Sequence, residues 1–91
     1  MQSSFQVKNL YKPQTIYVPD FGELLRVHQL NNDCIEVHYL THVDSGSNLR
    51  ISKVPPPHEY SQFSNVIYRD TLGFYVLIIE QIHGSGVIMT M

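Results

Sequence analysis

Five histidines, His28, His38, His42, His58 and His83, are the residues of this chain best able to do chemistry, because imidazole titrates near neutrality and ligates zinc and other transition metals. Spacing decides which of them can act together. His38 and His42 lie four apart, which aligns two ligands on a helix but separates them by more than about 12 Å along a strand. His28, Glu36 and His38 form the better set, provided that a hairpin lays their two segments side by side. The same three residues also suit a solvated sheet face with a His28–Glu36 cross-strand pair, and that is the reading adopted, so no metal or other cofactor is expected. His58-Glu59 opens like the zinc-protease pattern His-Glu-x-x-His, but Gln62 stands where the second histidine belongs.

Other reaction types fail on spacing as well. Ser45 and Ser85 sit beside glycines, yet neither completes Gly-x-Ser-x-Gly, so both read as turn residues and no nucleophile is expected. Gly84-Ser85-Gly86 runs into Val-Ile-Met where a phosphate-binding loop would need the start of a helix. Pro55-Pro56-Pro57 misses a Pro-Pro-x-Tyr ligand motif by one residue and reads as a strand terminator, since proline cannot donate to a ladder. The protein is expected not to be an enzyme.

The elements that must position the polar residues are strands. The chain contains no alanine, whereas Val, Ile, Thr, Tyr and Phe supply 31 of its 91 residues, a bias away from helix and toward β. Phe74 to Ile82 is the densest apolar run, bounded by Gly73 and Gly84, and reads as a central strand buried on both faces. Ile16 to Val18 and a segment around Phe5 and Val7 read as shorter strands, with a loose N-terminus. Pro19-Asp20-Phe21-Gly22 is a turn, with Gly22 at the position that needs positive φ.

From Glu23 to Val54 the sequence reads as a meander. A three-residue loop within Leu30 to Cys34, built on Asn and Asp in the left-handed conformation, sets Leu25, Val27 and Gln29 opposite Tyr39, Val37 and Ile35. It also sets Arg26 opposite His38 and His28 opposite Glu36. A two-residue loop would mix apolar with polar side chains on both faces, so side-chain sorting selects the first register. Leu49 to Val54 follows, with Arg50 and Ser52 outward. The candidate binding site is accordingly one polar sheet face carrying Arg26, His28, Glu36, His38 and Arg50.

Residues 58–72 are ambiguous, with Tyr60, Phe63 and Ile67 at helical spacing but many poor helix formers between them. A short helix near residues 58–64 followed by a strand from Asn65 to Arg69 and a turn at Asp70 to Gly73 is preferred. The alternative is an α+β fold with a helix over 58–71. His83 to Gly86 reads as a turn into a last strand, Val87 to Met89. The fold class expected is all-β, a small antiparallel barrel or sandwich of six to eight short strands in a single domain spanning 1–91.

Charge narrows the partner. Six Lys and Arg against eight Asp and Glu give a net charge of −2, which disfavours the broad basic surface of a general nucleic-acid binder. Cys34 is the only cysteine, predicted to be a buried thiol. With no secretion signal, no sequon and no apolar run long enough to span a membrane, a cytoplasmic location is expected. Charged residues make up 15% and apolar residues 43%, more apolar bulk than a core of this size absorbs. A homodimer through a strand edge, near Phe5 or over Val87 to Met91, is therefore expected. The function expected is a non-enzymatic module that recognises or inhibits a protein partner, of the compact kind frequent in phages, viruses and mobile elements. The alternative is a small β-barrel that binds single-stranded nucleic acid.

Overall fold

A computed structural model describes residues 1–55, 63–72 and 74–82. The chain is all-β. Among the described residues seven antiparallel strands follow in order: β1 (Gln2–Val7), β2 (Gln14–Val18), β3 (Phe21–Asn31), β4 (Cys34–Thr41), β5 (Ser47–Val54), β6 (Val66–Leu72) and β7 (Tyr75–Ile82). They form two sheets, β1-β4-β3 and β2-β5-β7-β6. Among the described residues no helix is long and apolar enough to cross a membrane.

Alternation along each strand places one residue set between the sheets. Val7, Phe21, Ile35, Val37 and Tyr39 from the first sheet meet Val18, Leu49, Ile51, Leu77 and Ile79 from the second in one buried cluster. Leu10 is also buried there, although it lies in the connection after β1 rather than in a strand. Tyr39 anchors the first sheet, its ring tilted against those of Phe5 and Phe21 at centroid distances of 5.9 and 5.5 Å and its hydroxyl donating to Asp20 Oδ1 at 2.9 Å. Cys34 is a buried free thiol.

β7 is the strand on which the second sheet is built, since β5 and β6 flank it and Val76 to Glu80 are buried without interruption. A strand covered on both faces has no reason to alternate, which explains the continuous apolar run. Phe74 is the exception to the sequence reading: it precedes the strand and is 95% exposed.

Three local expectations are corrected. The hairpin between β3 and β4 keeps the expected pairs Arg26–His38, Val27–Val37, His28–Glu36 and Gln29–Ile35, but reaches them differently. Asn31 pairs with Cys34, a tighter closure than three residues, and a register shift between Gln29 and Asn31 restores the sorting. The turn is held by Asp33 N–H donating to Asn31 Oδ1 at 2.8 Å, while the left-handed Asn and Asp residues are Asn9, Asp44 and Asn65 instead. A second shift puts Leu24, not Leu25, opposite Tyr39. Gly22 lies within β3 at a third irregularity rather than in the turn. A Cβ there would stand 2.7 Å from the Leu40 carbonyl oxygen, so glycine serves close approach and not positive φ.

Two larger expectations also change. The N-terminus is not loose, because β1 pairs with β4 over its whole length. The preferred strand over Asn65 to Arg69 is present as β6, in place of the alternative helix, but it begins at Val66 and continues through the Asp70 to Leu72 segment read as a turn. β-Branched residues outweighed the helical spacing. The short helix near 58–64 falls mostly outside the described residues, and its last positions, 63 and 64, are not helical. The turn at His83 to Gly86 and the strand from Val87 lie outside them entirely.

Candidate functional site

The outer face of β1-β4-β3 carries four of the five candidate residues. Arg26 and His28 stand on β3, with Glu36 and His38 directly opposite on β4, and Ser4 and Gln6 of β1 continue the same rows beyond His38 and Glu36. His38 Nε2 lies 2.9 Å from Glu36 Oε1, so the carboxylate pairs along its own strand rather than across to His28. His28 packs edge-on against His38, with ring centroids 5.3 Å apart. Both members of the Glu36–His38 pair are partly exposed.

Arg50 does not join them. The meander is broken after β4: the loop between Thr41 and Ser47 carries the chain into the second sheet, where Arg50 on β5 pairs with Glu80 on β7. Asp44 makes the crossing with a left-handed backbone, φ 59°, and Ser45 Oγ reaches the carbonyl oxygens of Phe21 and His42, each at 2.7 Å. That hydroxyl therefore ties the loop to β3. Ser52 also departs from expectation, since it points to the outer side of its sheet and yet is buried.

No group of three His, Cys, Asp or Glu among the described residues is placed to hold a metal ion. His42 is on the exposed loop beyond β4, its Nδ1 3.1 Å from the Val43 carbonyl oxygen. An open pocket of about 370 Å³ lies at this end of the molecule, lined by Phe21, Gly22, His42, Ser45, Ser47 and Gln81 among others. His58 and His83 are outside the described residues.

A second feature concerns backbone rather than side chains. The Thr41 N–H donates to the Met1 carbonyl at 2.8 Å, which fixes the phase of the β1–β4 ladder. Residues 3, 5 and 7 thus turn their N–H and C=O groups to β4, and Gln2, Ser4 and Gln6 turn theirs away from the sheet. Each of the other edges among the described residues is blunted. β3 has three register shifts and carries Glu23 and Arg26; β6 has one shift and carries Arg69 and Asp70; β2 is five residues long, between Pro13 and Pro19. β1 has no charge, no proline and no irregularity. Bulges, charges and prolines are the usual guards against edge pairing.

Sequence reasoning did not anticipate the burial of three polar residues, Ser47, Ser52 and Glu80. The available signal was Glu80 itself, the one charge in the apolar run from Tyr75 to Ile82. No protein-family model, curated protein or solved structure matches this chain.

Proposed function

We propose that the protein is a non-enzymatic binding module whose β1 edge takes up an extended strand of a protein partner. When that partner is absent, a second copy fills the same edge by antiparallel two-fold pairing. The observation that carries this reading is the β1 edge, regular, uncharged and uncovered by any other strand among the described residues, with the backbone groups of Gln2, Ser4 and Gln6 directed outward. Strand addition draws affinity from main-chain hydrogen bonds and specificity from alternate side chains. Here the inward side chains would extend the core beside half-buried Phe5, and the outward ones would lie next to Ser4 and Gln6 and within reach of Glu36 and His38. Charge supports a protein partner over single-stranded nucleic acid. Arg26, His28 and His38 share their face with Glu23 and Glu36, while Phe5 and Phe21 of that sheet pack against Tyr39 on its core side, away from any base.

The test is Ser4→Pro. It deletes one outward N–H and leaves the ladder to β4 untouched, because Ser4 does not donate to β4. In sedimentation, wild-type protein is expected to associate with increasing concentration and Ser4→Pro to remain monomeric, with unchanged circular dichroism. A wild-type monomer at every concentration, or equal association of both proteins, would overturn the two-fold pairing.

A further inference from the structure

The outer face of β2-β5-β7-β6 contains a pocket of about 250 Å³ walled by Arg50, Ser52 and Glu80 and by the apolar Pro13, Val54 and Phe63. Its polar groups are incompletely paired. Glu80 is 6% exposed and Ser52 4%. Glu80 Oε2 accepts the Ser64 backbone N–H at 3.1 Å, but Glu80 Oε1 and Ser52 Oγ, both buried, have no hydrogen-bond partner. Arg50 Nε stands 3.9 Å from Oε1, beyond hydrogen-bond range. Lys53 lines the rim with its stem alone, because its Nζ donates to the Asn32 carbonyl at 3.1 Å and sits 4.1 Å from the Tyr75 ring centroid.

A buried carboxylate oxygen and a buried hydroxyl without hydrogen-bond partners cost stability, and a sheet face does not retain them without cause. Arg50 presents its half-exposed side chain at the pocket wall. A group that offers an anion to Arg50 while offering N–H donors to Glu80 and Ser52 would satisfy all three.

We propose that this pocket binds a small zwitterion of the α-amino acid class with an apolar side chain. Its ammonium donates to Glu80 Oε1 and Ser52 Oγ, its carboxylate accepts from the Arg50 guanidinium, and its side chain rests on Pro13, Val54 and Phe63. Arg50 and Glu80 present opposite charges 3.9 Å apart, which suits neighbouring carboxylate and ammonium groups lying side by side across the pair. The volume lies below the range of about 300–1,000 Å³ used for larger ligands. The site belongs to the sheet opposite the β1 edge and does not depend on strand pairing there.

The experiment is a titration followed by amide chemical shifts, with L-leucine, N-acetyl-L-leucine and L-leucinamide as probes. L-Leucine is expected to give saturable shifts in Arg50 to Lys53 and Ile78 to Glu80. Either derivative, lacking one charge, is expected to bind at least about 10-fold more weakly, and Arg50→Gln and Glu80→Gln to weaken L-leucine by a similar factor. Arg50→Gln alters a half-exposed residue, so that arm decides even if Glu80→Gln does not fold. No saturable response up to about 20 mM, equal binding of the derivatives, or shifts confined to other residues would overturn the proposal and leave water as the donor.

Discussion

Replacing Ile78 and Ile79 separately by alanine tests whether β7 is covered on both sides. Ile79 points into the cluster between the sheets and Ile78 points outward, beside Ser52 and Arg69, yet each is 0% exposed. Each replacement removes three buried carbons, about 2.4 kcal/mol at roughly 0.8 kcal/mol per carbon. Incomplete collapse of the cavity raises that toward about 4 kcal/mol. A chain of 91 residues has a total stability of order 5–14 kcal/mol, so both variants are expected to fold with urea midpoints lowered by about 1–3 M. Ile82→Ala, at a 41% exposed position on the same strand, is the control and should cost less than about 1 kcal/mol. Ile78→Asp, which puts a carboxylate at a fully buried position, should exceed about 4 kcal/mol and abolish folding. A small cost at Ile78 beside a full cost at Ile79 would refute double coverage and put the outer face of the second sheet in water.

Zinc in slight excess is expected to leave the melting temperature unchanged, because Glu36 is committed to His38 and His28 packs against the His38 ring; a concentration-dependent rise would show a ligand that binds the folded state. Alkaline pH is expected to destabilise the fold. Burial pushes the Tyr39, Tyr68 and Tyr75 phenols above their ordinary range, with the carboxylates of Asp20, Asp70 and Asp33 adding to the respective shifts. The folded chain then holds protons that the unfolded chain has lost, so stability present below about pH 10 falls as pH rises through the folded values. Tyr39→Phe should flatten this fall in urea titrations between about pH 9 and 11, and an unchanged slope would contradict the assignment.

Much of the fold was legible because alternation has one physical meaning on a strand. The period-two order of Val27, Val37 and Ile35 against Arg26, His28 and Glu36 selected the β3–β4 register, and the bulge at Leu30 shows that sorting, not loop length, controls it. The two-sheet partition was not legible. β4 and β5 are consecutive and similarly patterned, and nothing in the Thr41 to Ser47 loop distinguishes a hairpin from a crossing, so Arg50 was grouped with residues of the other sheet. Ser52 and Glu80 were missed for a related reason. Alternation identifies which side a residue faces, whereas burial on the outer side depends on what covers that side. The β1 edge could be read only beside the other edges among the described residues, since its significance lies in the bulges, charges and prolines that β2, β3 and β6 carry and it lacks.

The most direct measurement of the strand-edge account is backbone amide exchange in β1, compared at about 5 and about 500 μM protein, concentrations that span weak self-association. Ser3, Phe5 and Val7 donate toward β4 and are expected to be protected at both concentrations. Gln2, Ser4 and Gln6 should exchange rapidly in dilute solution and become protected on concentration, or on adding a binding partner, because an added strand accepts their N–H groups in place of water. Rapid exchange of Ser4 and Gln6 in the associated state, or new protection confined to β2, β3 or β6, would contradict the account.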